Sequence, residues 1–107
     1  MIAQLERLLA NGQDTAMLRL GLGNAYLQAG DPARAVEHLH AAVEHDPGYS
    51  AAWKALGKAL TEAGKSNEAI AAYEEGIRVA EQKGDIQAAK EMKVFLRRVC
   101  NSQDKSS

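Results

Sequence analysis

Apolar residues recur along the chain at the three- and four-residue spacings of amphipathic helices, separated by short polar connections. Glycines follow four of these periodic runs, as helix-ending glycines do, at Gly12, Gly30, Gly64 and Gly84. The pattern predicts six helices, over residues 2–11, 15–29, 32–45, 48–63, 66–83 and 85–100. Because the connections are short, we expect successive helices to be antiparallel neighbours. Residues 101–107 contain no apolar side chain and are predicted to be disordered.

The sequence repeats itself after 34 residues. Coinciding pairs include Leu22 with Leu56, Gly23 with Gly57, Ala25 with Ala59, Ala35 with Ala69, and Val36 with Ile70. A period of this length made of two helices indicates stacked helical hairpins. Gly23 and Gly57 fall inside predicted helices, where glycine costs roughly 1 kcal/mol relative to alanine. We therefore expect neighbouring helices to approach closely at these two positions.

Motif residues at matching places in the two repeats point to a known family. Tetratricopeptide repeats (TPRs) follow the pattern W-x2-L-G-x2-Y, then A-x3-F, then P. The second repeat fits at Trp53, Leu56, Gly57, Ala69 and Tyr73, and the first at Leu22, Gly23, Tyr26, Ala35, Leu39 and Pro47. Departures from the pattern occur at Arg19, Leu60 and Glu81, where Trp, Tyr and Pro would fall. The chain resembles a TPR protein, which implies an all-α solenoid of antiparallel helix hairpins.

The resemblance implies one helical domain over residues 1–100. Its parts are a leading half-repeat helix at 2–11, a first repeat at 16–49, a second repeat at 50–83 and a capping helix at 85–100. The tail at 101–107 lies outside this domain. On a helical wheel, the apolar residues of the capping helix share one arc, and Val94 lies on the polar side. A cap of this kind closes the exposed apolar end of a solenoid.

The resemblance also implies a binding surface, because the first helix of each TPR hairpin lines the concave face of the solenoid. The matching groove positions are Met17, Leu20, Asn24, Leu27, Gln28, Lys54, Lys58 and Thr61. The apolar members would leave a hydrophobic patch on the groove floor, a feature of interaction sites. Lys54 and Lys58 project from one helix face and could engage an acidic group. We expect a scaffold that binds another protein or peptide, although the same residues could equally be ordinary solvent-facing positions.

Self-association is the alternative function that the sequence leaves open. Two full repeats fall below the three or so that solenoids usually need for stability. Residues 1–49 contain 3 basic and 6 acidic side chains, whereas residues 50–107 contain 10 and 8. The two halves of different copies are therefore complementary in charge, and Val94 is a candidate contact. A homo-oligomer could form through the solenoid ends or the groove.

Composition narrows the class of partner and the location. The formal net charge is −1, from 13 basic and 14 acidic residues, which argues against nucleic acid or an acidic membrane as partner. No apolar run approaches the roughly 18 residues of a membrane-spanning helix, and no signal peptide is visible. A single cysteine, Cys100, cannot form an internal disulfide. We expect a cytoplasmic protein.

Catalytic and metal-binding motifs are missing from the sequence. None of the G-x-S-x-G, H-E-x-x-H, C-x-x-C or P-loop patterns occurs. An enzyme would have to rely on three histidines and Cys100. His38 and His45 are seven residues apart and His40 points elsewhere on the helix, so the three are expected to be solvated residues of an outer helix. The sequence predicts no enzymatic activity, no cofactor and no metal site.

Overall fold

The computed structural model describes residues 1–106, with side chains as far as Ser102. Six helices account for the fold: α1 (Ile2–Ala10), α2 (Ala16–Gln28), α3 (Pro32–His45), α4 (Ser50–Glu62), α5 (Ser66–Lys83) and α6 (Ile86–Ser106). No strand occurs within these residues. The all-α prediction is confirmed, and each predicted helix is present.

The helices form two layers. In the inner layer α2 packs beside α4, and α4 packs beside α6. The outer layer consists of α1, α3 and α5, which pack on the inner helices and not on one another. Contact between neighbouring inner helices but not between outer ones makes the inner layer the concave side. The result is an α-solenoid with extents of 44 × 31 × 18 Å.

Local signals in the sequence define several helix ends. Thr15 Oγ1 accepts a hydrogen bond from the Leu18 amide at 3.1 Å, and Asp31 Oδ1 accepts one from the Arg34 amide at 3.2 Å. Such side chains satisfy amide donors that the first turn of a helix leaves unpaired. Gly84 ends α5 with a φ of 75°, the left-handed conformation that glycine adopts without strain. Gly84 therefore ends its helix as the sequence predicts, and Thr15 and Asp31 cap the helices that follow them.

Glycines inside the helices make room for side chains of the next helix. A Cβ atom built on Gly23 would overlap the Leu39 side chain, and one built on Gly57 would overlap the Tyr73 ring. Leu39 and Tyr73 are 34 residues apart, so both repeats use the same packing. The expected close approach is present, and the space left by each glycine is filled by a large side chain of the paired outer helix.

The end of the chain differs from its prediction. Helix α6 continues to Ser106, so residues 101–106 are helical rather than disordered. Val99 is buried against α5 and anchors this end of α6. The polar residues that follow include neither proline nor glycine, the two strongest helix breakers, so the helix propagates beyond its last buried turn. Ser107 lies outside the described residues.

Candidate protein-binding groove

Three inner helices contribute side chains to a hollow of about 440 Å³ on the concave face. Its lining consists of Leu20 and Asn24 of α2, Ala51, Lys54, Ala55 and Lys58 of α4, and Glu91 and Phe95 of α6. The contributors from each helix recur at the three- and four-residue spacings that place side chains on one face of a helix. Leu20 and Phe95 are half-buried, which gives the hollow an apolar part flanked by polar and charged groups.

A second hollow of about 410 Å³ continues the first along α4 and α6. It is lined by Lys58, Thr61, Glu62, Tyr73, Phe95, Arg98 and Val99. Lys58 and Phe95 belong to both hollows, so the two form one continuous surface. We call this surface the concave groove.

Positive charge in the groove is only partly neutralised. Lys54 Nζ lies 3.6 Å from Glu91 Oε1, so this pair compensates itself. Lys58 is exposed and forms no ion pair with the side chains described through Ser102. The Arg98 guanidinium lies 5.8 Å from the centre of the Phe95 ring. It forms no ion pair with the side chains that the structure describes. Lys58 and Arg98 therefore place two cations without ion pairs beside Phe95, and the Glu62 carboxylate lies on the same surface.

Hydrogen bonding and burial determine the environment of two polar groove residues, Thr61 and Tyr73. Thr61 Oγ1 donates a hydrogen bond of 2.8 Å to the Gly57 carbonyl, one turn earlier in α4. Burial raises the pKa of the Tyr73 phenol, and hydrogen bonding with Thr61 opposes that shift. Tyr73 therefore stays uncharged at neutral pH, and its buried ring forms part of the wall between α4 and α6.

The structure brings together five of the eight residues that the sequence assigns to the groove. Leu20, Asn24, Lys54, Lys58 and Thr61 line it. Met17 lies in a separate hollow of about 340 Å³ beside Leu5 and Leu8. Gln28 lies near the start of α1, in another hollow. Leu27 is half-buried and packs against the core. These three do not share the concave groove.

Sequence reasoning missed the contribution of α6. Glu91, Phe95 and Arg98 line the groove, whereas the sequence assigns α6 only the role of a cap. The repeat spacing contains a signal for one of them, because Phe95 follows Thr61 by 34 residues. Read in that register, α6 is the inner helix of a third repeat.

A further hollow of about 470 Å³ lies between the outer helices α3 and α5, on the opposite face. Trp53, Leu56 and Leu60 of α4 form its floor, and Glu68 and Glu75 of α5 belong to its lining. Its leucines are almost fully buried. It is therefore a shallow gap between outer helices over a closed core.

Arg19 centres a polar network on the outer side of α2. Its guanidinium donates hydrogen bonds of 2.7 and 2.9 Å to the two carboxylate oxygens of Asp14. A third bond of 3.0 Å joins Arg19 Nη1 to His38 Nδ1. Because arginine has no acceptor, His38 Nδ1 accepts this bond, and Nε2 carries the proton 3.5 Å from Glu6 Oε1. His45 Nε2 donates to Asp14 at 3.0 Å.

This network corrects the expectation that all three histidines are solvated. His38 is only 9% exposed, and its ring stacks on Tyr26 with centroids 5.4 Å apart. Burial lowers the pKa of His38, with the Glu6 carboxylate opposing that shift and Arg19 adding to it. The Arg19 guanidinium holds the pKa of Asp14 well below its usual range. His40 and His45 are exposed, as expected.

Arg19 links its helix to the preceding loop in the first repeat, as Trp53 does in the second repeat. Trp53 Nε1 donates a hydrogen bond of 2.8 Å to the Pro47 carbonyl, which ties α4 to the loop before it. Arg19 ties α2 to its own preceding loop through Asp14. The departure from the TPR pattern at Arg19 therefore preserves the connection between loop and helix.

Within the described residues, no three His, Cys, Asp or Glu side chains are grouped in a way that could hold a metal ion. None of the helices there has both the length and the apolar character needed to cross a bilayer. Cys100 is a half-buried free thiol.

Comparison with known proteins agrees with this architecture. A family model described as tetratricopeptide repeat matches residues 2–37 and 20–85. A TPR repeat-containing protein of Pseudomonas aeruginosa is 56% identical over 99 residues, which cover 92% of this chain and 94% of that protein.

Solved structures extend the comparison to three dimensions. The solution structure of a Bordetella parapertussis protein matches with a TM-score of 0.82 and 42% identity, covering 95% of this chain and 89% of that one. The crystal structure of the Sgt2 TPR domain from Aspergillus fumigatus matches with a TM-score of 0.84 and 28% identity, covering 98% and 67%. TPR domains generally mediate protein–protein interactions and are typically non-enzymatic. The chain belongs to the tetratricopeptide repeat family.

Proposed function

We propose that this protein is a non-enzymatic scaffold of the cytoplasm that binds a partner peptide or helix in the concave groove. The observation that carries the proposal is the continuous surface across α2, α4 and α6, in which half-buried apolar side chains lie beside two cations that form no ion pair. The two hollows, of about 440 and 410 Å³, are each within the size range of ligand pockets, roughly 300–1,000 Å³. Cys100, a single free thiol, is compatible with a reducing compartment.

Charge and shape define the kind of segment that fits. Phe95 and Leu20 supply an apolar floor that an aliphatic or aromatic anchor would cover. Lys58 and Arg98 supply charge for carboxylates on either side of that anchor. Asn24 adds a side-chain amide that can both donate and accept hydrogen bonds. The preferred partner segment is therefore acidic, with one large apolar residue.

Affinity purification with mass spectrometry tests this proposal. Wild-type protein, Lys58→Glu and Lys65→Glu would each be used as bait in the same lysate. Lys65→Glu makes the same charge change on an exposed side chain outside the groove, so it is the matched control. We expect partners recovered by the wild type and the control to be depleted at least about tenfold with Lys58→Glu, which corresponds to about 1.4 kcal/mol of binding free energy.

A second variant tests the apolar part of the groove. Leu20→Glu places a carboxylate beside Lys54 and the groove floor, and should abolish recovery of the same partners. Circular dichroism checks that the variant keeps its helix content, because Leu20 also packs against the core. Equal recovery by the wild type, Lys58→Glu and a folded Leu20→Glu would exclude the groove as the binding site.

A further inference from the structure

Exposed large apolar side chains are confined to the two ends of the solenoid. Five occur in the described part of the chain: Met1, Leu8, Met17, Ile86 and Val94. Met1 precedes α1, Leu8 lies on α1, Met17 lies in the first turn of α2, and the last two lie on α6. Met17 is 74% exposed and Val94 is 40% exposed. The middle helices α3, α4 and α5 contain none, so the apolar surface belongs to the ends.

At one end, α1 is an outer helix with a single inner neighbour. The outer helices α3 and α5 each pack between two inner helices, whereas α1 packs on α2 alone. No residue of α1 is buried, although its leucines lie on one side of the helix. The hollow of about 340 Å³ that contains Met17 is lined by Leu5, Leu8 and Leu18 as well. An exposed apolar surface beside α1, which we call the apolar seat, is therefore available to pack against another helix.

At the other end, α6 is an inner helix with an outer neighbour on one side only. It packs against α5 and α4. Its exposed residues Ile86, Lys90, Val94 and Arg97 follow one another at intervals of four, four and three, which places them in one stripe. The stripe combines two apolar side chains with two cations. This composition is suited to packing on an apolar surface that is bordered by acidic side chains.

We propose that two copies of this chain stack head to tail, with α6 of one copy packing beside α1 of the next. At its end of the solenoid, α6 is an inner helix without a following outer helix, and α1 is an outer helix without a preceding inner helix. Each end therefore supplies the neighbour that the other end lacks. Together they form a helix hairpin like α2–α3 and α4–α5, built from two copies. This stacking uses surfaces outside the concave groove and does not depend on peptide binding there.

Charge favours a second copy as the occupant. The stripe on α6 contains two basic side chains, Lys90 and Arg97, and no acidic one. Lys93 on the same helix is paired with Glu81 at 2.9 Å, and Arg98 lies in the concave groove. Residues 1–18, which form the receiving end, contain two acidic side chains, Glu6 and Asp14, and one basic side chain, Arg7. The apolar stripe and the apolar seat therefore meet with opposite net charges around them. Because the contact joins two different surfaces, it leaves a free end at each side and continues to grow.

Sedimentation velocity of the purified full chain tests the stacking. From about 10 µM to about 1 mM, which spans the dissociation constants of weak interfaces, the wild type should rise from its 11.5 kDa monomer to species of more than twice that mass. Met17→Glu and Val94→Glu each place a charge on one end. Each variant alone should stay monomeric over the same range, and circular dichroism should show unchanged helix content.

Mixing the two variants distinguishes head-to-tail stacking from other arrangements. Met17→Glu keeps an intact α6 end and Val94→Glu keeps an intact α1 end. An equimolar mixture should therefore form a dimer and nothing larger, because the remaining two ends carry the substitutions. Lys58→Glu, in the concave groove, should assemble like the wild type, so loss of groove binding and loss of stacking are separately visible.

Three results would overturn the proposal. A wild type that stays monomeric at about 1 mM would show that the ends do not bind each other at relevant strength. Self-association of Met17→Glu or Val94→Glu alone would indicate a symmetric contact between like ends. A mixture that stays monomeric would exclude complementarity between the two ends.

Discussion

Gly21 and Gly23 lie two residues apart in α2 and face different surroundings. A Cβ atom on Gly23 would overlap the Leu39 side chain, whereas the nearest atom to a Cβ on Gly21 is Leu5 Cδ1, at 4.0 Å. Alanine favours a helix over glycine by about 1 kcal/mol at either position. We expect Gly21→Ala to raise the free energy of unfolding by up to about 1 kcal/mol. Gly23→Ala should lower it by about 1–3 kcal/mol, because overpacking outweighs propensity.

Urea unfolding followed by circular dichroism measures both changes. Gly57→Ala provides a second test, since its Cβ would overlap Tyr73 in the other repeat. It should behave like Gly23→Ala. A stabilised Gly23→Ala protein would mean that Leu39 moves aside at little cost and that close packing does not explain the glycine.

His38 makes stability depend on pH in a defined direction. Burial lowers the pKa of His38 in the folded protein below the ordinary value of 6.5. Below pH 6.5 the unfolded chain therefore binds a proton that the folded protein does not, and stability falls as the pH decreases. Above 6.5 both states are neutral at this residue and the contribution is complete. We expect the melting temperature to decrease between pH 7 and pH 5.

Two glutamine substitutions isolate this effect. His38→Gln keeps one acceptor for Arg19 and one donor for Glu6 but does not titrate, so its melting temperature should change less with pH than that of the wild type. His40→Gln makes the same change at an exposed histidine of the same helix and should keep the wild-type dependence. Asp14 has its own lowered pKa, and it weakens the fold only below about pH 3.8, outside this window. Equal pH dependence in the two variants would assign the effect to other groups.

At the scale of the element, periodicity and glycines predicted all six helices. These signals are local: a helix needs an apolar face, a capping residue and a terminator, and each occurs within a few residues of sequence. The 34-residue repeat predicted which helices pair, because Leu22 and Leu56 recur with the same neighbours. The same local signals failed at 101–106, because the helix that is anchored by the buried Val99 continues through the polar residues that follow it.

The role of α6 required information that its own sequence does not contain. An amphipathic helix at the end of a solenoid has the same apolar arc whether it only covers the core or also lines the groove. Contact with α4 decides between these roles, and it places Phe95 and Glu91 opposite Lys54. The positions predicted on α4 do line the groove, because α4 lies in the middle of the array and has an inner helix on each side.

At the scale of the whole molecule, the core is divided into two clusters, a larger one that spans α2 to the first half of α5 and a smaller one between α5 and α6. The larger one includes Leu22 and Leu56, and the smaller one lies between α5 and α6 around Met92. Trp53 packs against both clusters from its place on α4. In a solenoid, contacts between neighbouring repeats determine whether they unfold together. Trp53 is therefore a residue through which the two parts of this small array are coupled.

Replacing Trp53 should weaken both stability and cooperativity. We expect Trp53→Ala to lower the free energy of unfolding by about 3 kcal/mol and to reduce the urea m-value, because the clusters then unfold at separate denaturant concentrations. Leu22→Ala removes packing from one cluster only, so it should cost about 2–5 kcal/mol at an unchanged m-value. Urea unfolding by circular dichroism supplies both quantities. Equal m-values for the two variants would show that coupling is spread over the whole α3–α4–α5 contact, with no special part for Trp53.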